Sequence, residues 1–169
     1  MHQVENQIVQ AMKTLSAFGS MLREDRDIGL LLSEYANAIQ RTKFAMEQEG
    51  IARACAICDE TSRGGCCYPG VEEWYDWTLL AINILLGSDI PITREIPGAC
   101  LFVGPRGCRL LARHAFCVNY FCPDLISRLR GEPQNRFNAA AGQELLCGSR
   151  LERAVRSRVA SMQPSRTLP

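Results

Sequence analysis

Long apolar runs are missing from this 169-residue chain. The longest, Trp77 to Leu86, is interrupted by Asn83 and reaches about half the length a helix needs to span a bilayer, so no transmembrane segment is expected. The opening MHQVENQIVQAMKTLSAFGS has no basic start, and Glu5, Asn6, Gln7 and Gln10 stand where a signal peptide would be apolar. A secretory signal is therefore not expected, and the predicted compartment is a reducing cytoplasm. Period-two alternation is nearly absent, which argues against a strand-built fold. The formal net charge of +1 gives no bulk attraction to nucleic acid or to an anionic membrane. Neither an H-E-x-x-H helix nor a nucleophile-elbow sequence occurs, and Gly104-Pro105-Arg106-Gly107 is not followed by the Lys-Ser/Thr of a phosphate loop. Hydrolase and nucleotide-binding chemistry have no motif to rest on.

What the chain has in excess is cysteine, at 9 positions. Eight of these fall in two blocks of four. Cys55-x-x-Cys58 and the adjacent pair Cys66-Cys67 form the first; Cys100, Cys108, Cys117 and Cys122 form the second. Soft thiolates suit zinc and iron, and a C-x-x-C turn brings two sulfurs to one centre. In a reducing compartment so many thiols point to metal or cluster ligation rather than to disulfides. Cysteine spacing leaves several groupings open: two four-cysteine zinc sites, one cluster plus one zinc, a dinuclear centre with bridging sulfurs, or one four-cysteine centre with spare redox thiols. Adjacent Cys66 and Cys67 point in different directions from an extended backbone, which favours a shared, closely coupled site.

The surrounding pattern predicts a mainly α fold, in which a helical hairpin and a C-terminal helix pack around an irregular cysteine-rich metal-binding core. One domain is expected over 1–162. Val4, Ile8, Ala11, Met12, Leu15, Phe18 and Leu22 recur at helical spacing, as do Ile28, Leu31, Leu32, Tyr35, Ala38, Ile39 and Met46. Residues 1–50 thus read as an antiparallel helical hairpin, with Asp25 or Asp27 placed to cap its second helix. Residues 51–123 form the cysteine region. Within it Val71 to Leu86 reads as a helix with Glu72 and Glu73 in its first turn, and Arg109 to Tyr120 as a short helix carrying Cys117. Residues 124–162 hold the last helices, one opened by Pro123 and a long one over about Gln134 to Ala160. That long helix follows Phe137, Ala141, Leu145, Leu146, Leu151, Val155 and Val159, with Gly142 and Gly148 weakening it. Residues 163–169 are expected to be a disordered tail.

Cys55-Ala-Ile-Cys58, Cys66-Cys67, the run Cys100-Leu-Phe-Val-Gly-Pro-Arg-Gly-Cys108, Arg113, Cys117 and Cys122 together resemble the CxxCxxCC zinc- or iron-chelating cysteine-cluster family (YkgJ-like). The resemblance spans Cys55 to Pro123 and leaves the helical flanks unmatched. It implies a metal or iron-sulfur site. The chain departs from the family pattern in the longer spacing between Cys58 and Cys66, in Leu110-Leu111 standing where Ile-Tyr is usual, and in Arg113-His114 standing where Arg-Pro is usual.

Other residues carry weaker expectations. Cys147 reads as a core thiol. His114, one of 2 histidines, stands between Cys108 and Cys117 and reads as a hydrogen-bonding neighbour of the site, with ligation the minority alternative. Asp59, Glu60 and Asp124 read as turn and cap residues that also offer oxygen ligands. Trp74, Tyr75 and Trp77 read as core aromatics, and Arg150, Arg153, Arg156 and Arg158 as a solvated helix face. The function expected is binding of zinc, iron or an iron-sulfur cluster by Cys55, Cys58, Cys66, Cys67, Cys100, Cys108, Cys117 and Cys122, as a redox or metal-cluster module. The alternative is a structural, zinc-stabilised protein-interaction module, and an iron-dependent enzyme ranks below both. Neither a specific protein partner nor an oligomeric state is read from the sequence.

Overall fold

The computed structural model describes residues 3–55 and 66–163, apart from the side chains of Asp124 and Arg128. The described chain runs α1 (Gln3–Glu24), α2 (Arg26–Gln48), a helical stretch over 51–55, a 3-10 turn (Val71–Trp74) and α3 (Trp77–Leu85). It continues through β1 (Val103–Gly104), β2 (Gly107–Cys108), α4 (Ala115–Asn119), α5 (Pro123–Arg128) and α6 (Glu132–Met162). The protein is mainly helical. No helix among the described residues is long and apolar enough to cross a membrane.

Asp25 alone joins α1 to α2. Its carboxylate accepts the backbone N–H groups of Asp27 at 3.0 Å and Ile28 at 3.1 Å, which are among the donors a helix start leaves unsatisfied. The first two helices do not form the packed antiparallel pair expected of them. Each finds another partner: α2 lies along α6, α1 lies against α3, and the two touch one another sparingly. A one-residue connection is too short to fold one helix back flat on the next, so both amphipathic faces turn to later elements. Arg158 of α6 forms an ion pair with Asp25, which ties the last helix to this elbow.

The main apolar cluster collects Val4, Ile8, Ala11 and Leu22 of α1, Tyr35, Ala38 and Ile39 of α2, Leu79 to Ile82 of α3, and Leu151, Val155 and Val159 of α6. Each fully buried aliphatic side chain here, such as Leu80 or Leu151, contributes about 1.5–3 kcal/mol. A smaller cluster joins Ile51, Val118, Leu125, Leu129, Phe137 and Ala141. The buried stripe of α6 passes through Glu144, Cys147 and Gly148 and leaves Leu146 53% exposed, so the expected place of Leu146 in the core is not observed. Met12 likewise faces outward on α1. Gly148 is not a weak point in α6. A Cβ there would stand 3.1 Å from the Tyr35 ring, so glycine lets α2 and α6 approach.

Two further expectations are corrected. The helix predicted over Val71 to Leu86 is broken at Tyr75 and Asp76, because the Asp76 carboxylate accepts the N–H groups of Thr78 and Leu79 and starts α3 anew. Arg109 to Tyr120 is helical only over Ala115–Asn119. Its first half is held out of the helix by Asn83, whose side chain donates to the Ala112 carbonyl at 2.8 Å and accepts the Ala112 N–H at 2.9 Å. The irregular stretch before it contains a small antiparallel hairpin that pairs Val103 with Cys108 and Gly104 with Gly107. The long helix over Gln134 to Ala160 is present and extends slightly beyond both bounds. The tail expected after Gln163 lies outside the described residues.

Candidate functional site

The segments carrying the cysteines are held by polar anchors to α1 and α3. Glu72, buried in the 3-10 turn, accepts the Gly70 N–H at 2.9 Å and the Arg94 guanidinium at 2.5 Å. Burial pushes its carboxyl up, but its own and Gly70's backbone donors and Arg94 outweigh this and hold it below the usual range. Glu73 accepts the Val4 N–H at 2.8 Å, and Gln7 accepts the Trp77 N–H at 2.8 Å, so the turn and the start of α3 both rest on α1. These acidic residues act as anchors rather than as the dipole partners expected in a helix's first turn.

On this frame the two cysteine blocks meet. The Cys100 N–H donates to the Cys67 carbonyl at 2.7 Å, which joins the end of the first block to the start of the second. The Cys67 thiol is hydrogen-bonded to Cys66 and lies within electrostatic reach of Cys108 and Cys117. Cys108 in turn influences Cys100 and Cys117. Cys67, Cys100, Cys108 and Cys117 all pack on the main apolar cluster. Cys122 packs instead on the smaller cluster. Cys55 ends the helical stretch that supplies Ile51 and Ala54 to that cluster, and its own side chain is exposed. Cys58, Asp59 and Glu60 lie outside the described residues, as does the side chain of Asp124. Of the described thiols, Cys66, Cys67, Cys100, Cys108 and Cys117 lie together, whereas Cys122 of the second block packs on the smaller cluster. Among the described residues, no three His, Cys, Asp or Glu side chains are arranged to hold a metal ion.

The electrostatics of this neighbourhood oppose free thiolates. The hydrogen bond to Cys66 and then burial push the Cys67 thiol up. Burial pushes Cys100 up to about 12, with the Phe102 backbone N–H pulling the other way. Cys108 and Cys117 are raised by burial too; the Leu110 backbone donor, Arg113 and Lys43 offset part of this at Cys108, and Tyr75 and Arg113 do so at Cys117. A buried group of thiols that also repel one another as thiolates stays protonated until a cation takes the protons' place. The donors gathered here are soft sulfur, with the side-chain cations of Arg113 and Lys43 nearby.

Tyr75 links the thiols to their surroundings. Its ring is buried, in edge contact with Phe102 at 4.9 Å; its hydroxyl accepts the His114 N–H at 3.0 Å and donates to Cys117 Sγ at 3.8 Å. Sequence reading placed Tyr75 in the core without seeing this role. His114 is the N-cap of α4: its Nδ1 accepts the Phe116 N–H at 3.2 Å, and its ring tilts against Trp74 and Tyr75. With Nδ1 so used, its described contacts are those of a cap. Burial holds this imidazole below its usual range, against an opposing pull from Asp76.

Trp74 corrects the core expectation: it is 42% exposed and meets Phe116 edge-on at 4.7 Å and Tyr68 at 6.4 Å. Trp77 packs partly buried under the Arg156 guanidinium, 5.5 Å from its ring. Arg150, Arg156 and Arg158 of α6 are engaged within the chain, with Glu34 at 3.5 Å, Asp76 at 2.5 Å and Asp25 respectively. Cys147 is buried in the main cluster and accepts Gln143 Nε2 at 3.4 Å. The residue that sequence reading most plainly missed is Asn83. Its signal was present, as a lone amide inside the most apolar helix.

No protein-family model, no curated protein and no solved structure matches the chain.

Proposed function

We propose that the chain belongs with the CxxCxxCC cysteine-cluster proteins and binds zinc, iron or an iron-sulfur cluster, serving as a redox or metal-cluster module in a reducing cytoplasm. One observation carries the reading: thiols from separate stretches of chain, at Cys67, Cys100, Cys108 and Cys117, lie near enough to perturb one another while partly or fully buried, with the exposed Cys66 against Cys67. Apolar packing alone gives no reason to gather so many ionisable sulfurs around one spot, because burial and mutual repulsion both disfavour the thiolate. Cys66, Cys67, Cys108 and Cys117 would hold the group, with Cys100 beside them and Cys55, Cys58 and Cys122 as the remaining ligands of the set. When bound, such a group supplies positive charge and, if it contains iron, a one-electron couple.

The redox form is favoured by the Tyr75 hydroxyl on Cys117 Sγ, since hydrogen bonds to ligand sulfurs help set the potential of iron centres. A specific observation supports the second reading, a closed structural zinc. Cys67, Cys100, Cys108 and Cys117 pack against the main apolar cluster, where a tetrahedral ion would act as a staple for otherwise irregular chain.

Anaerobic purification followed by metal analysis and an absorption spectrum tests the proposal. Thiolate-to-iron bands that bleach and return on reduction and reoxidation are expected for the redox form; colourless protein with stoichiometric zinc supports the structural form. Protein that neither retains nor takes up zinc or iron would overturn both.

A further inference from the structure

Beside the thiols lies a cavity of about 620 Å³, walled by the loop after α3 and by the β1–β2 hairpin. Its size falls in the roughly 300–1,000 Å³ range of small-molecule sites. The lining residues that matter are Ser88, Asp89, Glu95, Arg106, Cys108 and Arg109. Glu95 and Arg109 satisfy each other across 3.5 Å, and Gly104 makes room for them, because a Cβ there would stand 2.8 Å from Glu95 Oε2. Asp89 and Arg106 have no ion-pair partner among the described residues. The Ser88 hydroxyl is buried with no hydrogen-bond partner, a state that polar groups in folded proteins seldom keep without a ligand or water.

These features select a ligand class by elimination. An anion alone would face Asp89 and Glu95, and a cation alone would face Arg106 and Arg109. A neutral molecule would leave both unpaired charges idle. A molecule with one carboxylate and one ammonium satisfies both. The geometry points to this cavity as a binding site for a small zwitterion of amino-acid to tripeptide size, its carboxylate on Arg106 and its ammonium on Asp89. Cys108 stands in the cavity wall and also among the clustered thiols, so an occupant sits directly against that cluster. The site rests on the cavity's own charges and not on the metal reading.

The test titrates the isotopically labelled full chain, with and without chelator, with triglycine, N-acetyl-triglycine and triglycine amide. Triglycine at millimolar concentration should shift the backbone amides of Ser88, Asp89, Gly104 and Gly107 and slow alkylation of Cys108. Each blocked peptide should bind at least about tenfold more weakly, the effect of losing one charge-assisted hydrogen bond. Arg106→Ala should abolish discrimination against the amide alone, and Asp89→Ala discrimination against the N-acetyl form alone. That crossed pattern is not produced by a variant that merely loosens the loop. Absence of shifts at these amides in the wild-type protein, or blocked peptides that bind as well as triglycine, would overturn the proposal. A failure of metal binding would leave these readouts in place.

Discussion

Replacing Asn83 by leucine isolates the contact that shapes the backbone between Cys108 and Cys117. The side chain is fully buried; its amide donates to the carbonyls of Leu79 and Ala112, and its oxygen accepts the Ala112 N–H. Leucine keeps the approximate volume and the helix propensity of α3. It removes both bonds to Ala112, a residue itself fully buried, and leaves an N–H and a C=O without partners. The Leu79 carbonyl has its ordinary helical partner and loses little. Two orphaned backbone groups cost about 2–6 kcal/mol, and the apolar burial of leucine offsets about 1–2 kcal/mol. At the midpoints of these ranges the expected net loss is about 2.5 kcal/mol, read as a lower urea midpoint at unchanged slope by circular dichroism. Metal content should fall with it, because Ala112 lies between two proposed ligands. A loss below about 0.5 kcal/mol, the size of an ordinary surface substitution, would show that Asn83 does not hold this segment.

Glu144 is fully buried on α6, and both its carboxylate oxygens lack a hydrogen-bond partner, so Glu144→Met should raise the urea midpoint by the equivalent of about 1–3 kcal/mol; a fall would reveal a partner for the carboxylate. His114 predicts a pH dependence. Its folded pKa is lowered, so the unfolded chain takes up the proton first. The stability it contributes is complete above the ordinary histidine value of about 6.5 and declines as pH falls from there toward the folded pKa. Protonation at Nδ1 also removes the acceptor for Phe116 N–H. His114→Asn keeps a capping acceptor and does not titrate, so its urea midpoint should fall less steeply than the wild type's below about pH 6.5; parallel profiles would refute this.

The long helices were legible because their apolar residues recur where an amphipathic surface needs them, and a cap at Asp25 or Asp27 was legible because a carboxylate before a helix has one common use; Asp25 fills it. Pairing between helices was not. Periodicity shows that a face is buried but not against what, and the one-residue elbow sent α1 to α3 and α2 to α6. Local reading also gave way where a side chain, near or distant, captured the backbone. Asp76 restarted a helix that the apolar run would have continued, and Asn83 pulled Ala112 out of a predicted one. On α6 the apolar pattern put Leu146 inward, whereas the buried stripe runs through Glu144 and Gly148, residues whose type argues against burial in the first case and helix in the second. The cysteines were legible as donors from number and chemistry alone. Their neighbourhoods depend on how the loops fold back, and spacing along the chain carries little of that.

The central claim is that the clustered thiols, and not the chain's cysteines at large, hold a metal. Its most direct test is metal content per chain for the wild type, Cys117→Ser and Cys147→Ser, purified anaerobically side by side. Cys117 lies among the gathered thiols under the Tyr75 hydroxyl, whereas Cys147 is packed against Gln143 on α6. The expected result is bound zinc or iron in the wild type, marked loss in Cys117→Ser, and retention in Cys147→Ser. Equal loss in the two variants, or a wild-type protein that holds no metal even after reconstitution, would contradict it.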